Sequence, residues 1–100
     1  MSYAVVTTPD ADADLSDVCA WYAEQSEDLD LDFLDDLREV ADQIALLPHS
    51  FPIVYKTIRL ALMRRFPYKV FFIVEETENQ AAILAVVHQA RHQRVWKKRV

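Results

Sequence analysis

The side chains of this 100-residue chain that could do chemistry fall into two sets. The first half carries Cys19 and a crowd of carboxylates, and the second half concentrates arginine and lysine, with His88 among them. Cys19 would need a neighbouring base to become a nucleophile, because the thiolate is the reactive form. No histidine lies close to it in sequence, and it falls on the stripe Ala11, Leu15, Val18, Cys19 and Tyr22, one apolar helical face. A structural thiol is expected. Asp32, Asp35, Asp36, Glu39 and Asp42 raise the question of a general acid–base pair or a metal site. Either chemistry needs carboxylates converging on one pocket. These are strung along a helix, so a solvated acidic face is expected. One cysteine cannot build a zinc centre by itself, and a chain without glycine has no glycine-rich phosphate loop. No metal and no cofactor are expected.

The elements that must position these groups can be read from periodicity. Tyr3 to Thr7 is a short β-prone run. Thr8 and Pro9 then open a helix, the first as a cap and the second at a position where proline loses no needed hydrogen bond. Gln25 to Asp28 reads as a turn. A second helix is predicted from about Asp30 to Leu47, buried through Phe33/Leu34, Leu37, Val40/Ala41, Ile44 and Leu47, and stopped by Pro48. Ile53 to Tyr55 either extends the following loop or forms a short strand.

Three β-prone runs follow. Ile58 to Arg65 alternates, with Ile58, Leu60 and Leu62 on one face and Arg59, Ala61 and Met63 on the other. Tyr68 to Glu75 and Ala81 to Gln89 are almost continuously apolar, as strands buried on both faces would be. The polar segment Glu76 to Gln80 closes a hairpin between them, with Asn79 the best candidate for a positive-φ position. Phe66-Pro67 interrupts pairing between the first two runs, since proline has no N–H to donate. The order strand, two amphipathic helices, three strands predicts one α+β domain over residues 1–100: an N-terminal strand and a helical hairpin packed on a small antiparallel sheet. Leu15, Val18, Tyr22, Leu34, Leu37, Ala41 and Ile44 are expected to face Ile58, Leu60, Leu62, Val70, Phe72 and Ile83. A single helical layer then leaves the opposite face of the sheet bare, with Phe71, Ile73, Leu84 and Val86 on it. That face needs a cover: a partner segment, the Trp96 tail, or a second copy.

Charge divides the chain. Residues 1–50 hold thirteen acids against Arg38, a net −12, and residues 51–100 hold ten Lys/Arg against three Glu, a net +7. The acidic helices and the basic second half either steady each other or present two surfaces of opposite sign to partners. The start MSYAVVTTPD lacks a basic stretch followed by an apolar core, and no apolar run approaches a membrane span. With one cysteine, a reducing cytoplasm and no membrane partner are expected.

One ordered set of residues carries a family resemblance. Arg59, the run Arg64-Arg65-Phe66-Pro67-Tyr68, two apolar strands about a polar turn, His88, Arg91 and Trp96 follow two helices in a chain of this length. The set resembles the RelE/ParE superfamily of toxins from bacterial type II toxin–antitoxin (plasmid stabilisation) systems, and it is closer to the ParE branch. The resemblance implies a cognate antitoxin, a small protein with a ribbon-helix-helix or similar DNA-binding half and a tail that wraps the toxin. It also implies possible homodimers when the antitoxin is absent.

The two branches imply different targets. A ParE-like toxin binds and inhibits DNA gyrase and needs an exposed surface, for which Arg91, Arg94, Trp96 and Lys97 are the candidates, arginine and tryptophan being efficient anchors. The alternative is Trp96 folded back as core. A RelE-like toxin is a ribosome-dependent mRNA endonuclease, needing a base, an acid and cations for the phosphorane. Its candidates are Arg59, Arg65, Lys69, His88 and Arg91, with His88 alone among them titrating near neutrality. The RelE pattern of lysines and a C-terminal Tyr or His is absent, and Phe72 stands where a tyrosine is common in the family. A non-toxic homologue that keeps only antitoxin binding is the third reading.

Overall fold

The computed structural model describes residues 2–90 and 94–99. Strand β1 (Ala4–Thr7) leads into helices α1 (Pro9–Gln25) and α2 (Leu29–Leu46), and then into β2 (Ile53–Tyr55), β3 (Ile58–Leu62), β4 (Tyr68–Glu75) and β5 (Gln80–His88), with a single-turn helix α3 (Arg94–Lys97) after them. Thr8 caps α1, its hydroxyl accepting the Ala11 amide at 3.2 Å, and Pro9 follows as expected. Asn79 does take a positive φ of 50° to close the β4–β5 turn. Asp28 and Lys56 do the same at two other reversals, because a chain without glycine must place other residues there.

The sheet order is β1-β5-β4-β3-β2. Strands β2 to β5 form the expected antiparallel meander, with β2 as a short extra strand at one edge. β1 lies against β5 in parallel, Val5 opposite Ala81 and Thr7 opposite Ile83. The helical hairpin and the meander together reverse the chain an even number of times, so β5 returns beside β1 in the same direction. The fold class is α+β, and the sheet is mixed at this one edge.

The helices cover one face of the sheet. Phe33, Leu37, Val40 and Ile44 of α2 and Tyr22 of α1 meet Ala61, Met63, Val70, Phe72, Ile83 and Val86, with Leu15, Val18 and Cys19 packed beside them. Burying an aromatic such as Phe33 contributes roughly 1.5–3 kcal/mol. Leu34 is 40% exposed and Leu47 is exposed too, so the α2 stripe is narrower than its sequence suggested. Ala41 is only half-buried.

Strand β3 is turned over relative to expectation. Ala61 pairs with Val70 and Arg59 with Phe72, and cross-strand partners share a face. Ala61 and Met63 therefore face the helices, Ile58 and Leu60 face away, and Leu62 is exposed. A second departure lies in β5, where Phe71 pairs with Ala85 and Phe72 with Ile83, so Leu84 is an extra residue. This bulge shifts the alternation by one. Val86 lands among the helix-facing residues, and Leu84 and Ala85 on the outer face, reversing the expected places of Ala85 and Val86.

The outer face is not bare. Trp96 packs there with Ile58, Phe71, Leu84, Ala85 and Val87, and Tyr55, Leu60 and Ile73 flank it. Its indole stacks on Phe71 with centroids 4.0 Å apart and meets the edge of Tyr55 at 5.9 Å. The chain's own tail supplies the second layer.

Candidate functional site

The Arg64-Arg65-Phe66-Pro67 loop is shaped by one carboxylate. Phe33, Asp36, Val40 and the residues between them put Asp36 on the inward side of α2, and it is fully buried. Its oxygens accept the amides of Arg64 at 3.3 Å, Arg65 at 2.9 Å and Phe66 at 2.9 Å. Pro67 breaks the ladder between β3 and β4, which leaves these amides without strand partners, and Asp36 replaces water for them. Asp36 is thus not part of the solvated acidic face. The loop backbone is held while the Arg64 and Arg65 side chains point to solvent.

The remaining nuclease candidates are dispersed. Arg59 donates to the carbonyls of Phe51 at 2.7 Å and His49 at 3.3 Å, at the end of the sheet near the β4–β5 turn. There His49 and Tyr3 both bond Glu76. The His49 bond, foremost, holds the Glu76 carboxyl below its ordinary range, and Glu76 in turn pushes the Tyr3 phenol up. His88 closes β5 at the opposite end, paired with Tyr68. The Ala90 amide donates to its Nδ1 at 3.0 Å, which leaves the proton of neutral His88 on Nε2. Lys69 alternates with helix-facing Val70 and so projects on the outer face, away from His88, which follows the phase of Val86. Arg65 sits in the loop, and Arg91 lies outside the described residues. Arg59 and His88 are therefore at opposite ends, and Lys69 and His88 on opposite faces.

The tail candidates are brought together differently. Arg94 is the first residue of α3. Trp96 is 1% exposed and serves as core. The Lys97 ammonium lies 4.8 Å from the Tyr55 ring centre and 5.8 Å from that of Trp96. Sequence reasoning missed Arg99, which locks the tail in place. It grips Asp14 through two nitrogens at 2.7 and 3.1 Å and also donates to the Leu84 carbonyl at 3.0 Å. A third bond to Asp14 comes from the Val86 amide, which donates at 3.0 Å. Asp14 and Arg99 thus satisfy the backbone groups that the bulge displaces from the ladder. Bonding to Asp14 raises the guanidinium pKa further above its ordinary value against the opposing effect of burial. Nothing in the local sequence marks a pair 85 residues apart.

Beyond Arg99, a cleft of about 510 Å³ opens between α1 and β5, lined by Asp17, Val18, Trp21, Val86 and His88 among others. Cys19 stays outside it, and burial, followed by Asp30, pushes its thiol pKa up, away from reactivity. Among the described residues, no group of three or more His, Cys, Asp or Glu is placed to hold a metal ion. No helix among them is long and apolar enough to cross a membrane.

Residues 5–93 match the family model described as "ParE toxin of type II toxin-antitoxin system, parDE". The chain belongs to the ParE toxin family. Two solved structures share the fold of this ParE-family toxin. A chain of the chromosomal ParDE toxin–antitoxin system from P. aeruginosa is 19% identical, covers 87% of this chain and 96% of its own, and superposes with a TM-score of 0.74. A chain of the RelBE2 toxin–antitoxin complex from Mycobacterium tuberculosis is 20% identical, covers 88% and 99%, and gives 0.61. No curated protein matches at a comparable level. As a ParE-family toxin, the chain is the toxin component of a type II system, and its fold is common to the ParE and RelE branches.

Proposed function

We propose that this ParE-family toxin acts by binding a protein target, DNA gyrase, in the bacterial cytoplasm, and that a cognate antitoxin neutralises it. The observation that carries this reading is the dispersal of Arg59, Arg65, Lys69 and His88 over both faces and both ends of the sheet. Cleaving a phosphodiester needs base, acid and cation within reach of one phosphate. Binding needs only a surface. Lys97 and the basic tail, with Arg91 and Arg94, are proposed to contact the target, and Trp96 contributes as the anchor that seats them.

The antitoxin reading draws on the ParDE and RelBE2 structures, both of which are described as toxin–antitoxin assemblies. It also draws on the exposed apolar residues Trp21, Leu31 and Leu34 set in the acidic helical layer, which suit a partner presenting apolar and cationic side chains together. Without antitoxin, a second copy would use the apolar edge formed by Ile53, Val54 and Leu62.

The test uses the toxin released from its co-expressed complex. It should inhibit gyrase supercoiling and leave ribosome-bound mRNA intact, and Arg94→Ala with Lys97→Ala should weaken inhibition by about tenfold or more. Codon-dependent mRNA cleavage that disappears in His88→Ala or Arg65→Ala overturns the reading in favour of the nuclease.

A further inference from the structure

Along α1, Asp10, Asp14, Asp17 and Trp21 recur at steps of 4, 3 and 4, which sets them in one stripe. The stripe runs beside β5 where that strand has β4 on one side and no strand on the other. β1 ends at Thr7, opposite Ile83, so the edge of β5 beyond the bulge is not covered by strand β1. The chain's own Arg99 fills the first part of this gap. Its guanidinium is bidentate on Asp14, lies 3.8 Å from Asp10, and takes the Leu84 carbonyl of the strand edge.

The second part of the gap is the cleft of about 510 Å³. Its lining includes Asp14 and Arg99, which already hold each other, with His88 at the strand end, and it offers a further carboxylate at Asp17. Among the described residues, no Lys, Arg or His pairs with Asp17, while Asp10 and Asp14 are both served by Arg99. Trp21 is 54% exposed at the rim, an unusual state for so large an apolar ring, and is held edge-on by Tyr22. The Val86 amide points to this edge to reach Asp14, and in an extended residue the carbonyl points the same way. A carboxylate, an aromatic face and strand-edge backbone thus line one slot.

We propose that this cleft is the seat of an arginine presented by an extended basic segment of a partner protein. The guanidinium stacks on Trp21 and pairs with Asp17, and the segment's backbone lies along β5 at Val86 to His88. Charge complementarity selects the occupant: the first fifty residues carry a net −12, and the one ligand the stripe already holds is a guanidinium. Arginine suits the slot better than lysine because its planar group can stack and fork at once. Strand addition at an open sheet edge supplies the backbone part of the recognition. The inference rests on the antitoxin reading only for the identity of the partner.

The experiment titrates the isolated chain with a blocked peptide, Thr-Val-Arg-Val-Thr, and with the same peptide carrying Gln or Glu at the centre. It follows the Trp21 indole and the Val86 to His88 amides by NMR. The arginine peptide should shift these signals, and the Gln peptide should bind about tenfold more weakly or worse. Asp17→Asn and Trp21→Leu, both at exposed positions, should each reduce binding of the arginine peptide by about the same factor. Equal binding of the Gln and arginine peptides, shifts confined to other residues, or no shift at millimolar peptide would overturn the proposal. Its failure is separable from that of the antitoxin reading. If the co-expressed antitoxin still binds the Asp17→Asn and Trp21→Leu chains with unchanged affinity, the slot is wrong and the antitoxin stands. If that protein binds no form of the chain, the antitoxin reading falls, and the peptides alone decide the slot.

Discussion

Asp36 shows how much one side chain decides here. In a run of ten aspartates over the first half it is compositionally ordinary, yet it is the one buried charged residue among those described. Three amides of the Arg64-Arg65-Phe66 loop converge on it. Removing the carboxylate strands those donors away from water, and each buried unsatisfied group costs about 1–3 kcal/mol. Asp36→Ala should therefore destabilise the fold by about 3–5 kcal/mol, the scale of breaking a buried charged network. Asp35→Ala, one residue away on the exposed side, should change stability by less than about 0.5 kcal/mol. Urea denaturation of both variants measures the contrast, and equal losses would mean that the loop is held some other way.

At the scale of elements, the tail is the surprise. α3 is a single turn, too short to be stable by itself, and Trp96 stacked on Phe71 gives it a place. The indole Nε1 is buried there with no hydrogen-bond partner among the described residues. The ring's apolar area stabilises the fold while its N–H opposes it, so the two effects can be separated. Trp96→Ala should cost about 3–5 kcal/mol by opening a cavity. Trp96→Phe should cost much less, since a smaller ring also removes the unsatisfied donor, which is worth about 1–3 kcal/mol. Thermal or chemical denaturation of the pair decides it; a phenylalanine variant as unstable as the alanine variant would show that Nε1 has a partner after all. The β5 bulge belongs to this scale too. It turns Val86 inward and leaves Leu84 and Val86 backbone groups at the edge, where Asp14 and Arg99 meet them.

For the whole molecule, charge sets the response to pH at the His49–Glu76–Tyr3 cluster, which ties the start of the chain, the segment after α2 and the β4–β5 turn together. The folded pKa of Glu76 is lowered, chiefly by the hydrogen bond to His49. A carboxyl of that kind contributes stability above its unfolded pKa and loses it as pH falls through the folded one. Glu76→Gln should therefore be less stable than the parent at pH 7, with the gap closing as pH drops below the ordinary carboxylate range near 4. Salt should shrink the gap at pH 7, because the cluster is at the surface. A gap of the same size at pH 7 and pH 3 would show that Glu76 acts through something other than its charge.

Local physics was enough to place most of the elements. Thr8 and Pro9 start α1, Pro48 follows α2, Tyr68 to Glu75 forms β4 as cut from the sequence, and Asn79 turns the hairpin. Capping, proline geometry and apolar periodicity act over a few residues, so the chain states them openly. The ordered motif from Arg59 to Trp96 likewise pointed to the family. Which side of a strand meets the helices was another matter. Ile58, Leu60 and Leu62 are as apolar as Ala61 and Met63, and only the register with β4 chose between them. The phase of β5 beyond Leu84 depended on a bulge, whose stray backbone groups are met by Asp14 and by Arg99 from the far end of the chain. Asp36 and Trp96 were ambiguous for the same reason. A carboxylate is solvated or buried, and an aromatic is an anchor or core, according to what the rest of the chain brings beside it. Those partners are distant in sequence, and only the folded structure brings them into contact.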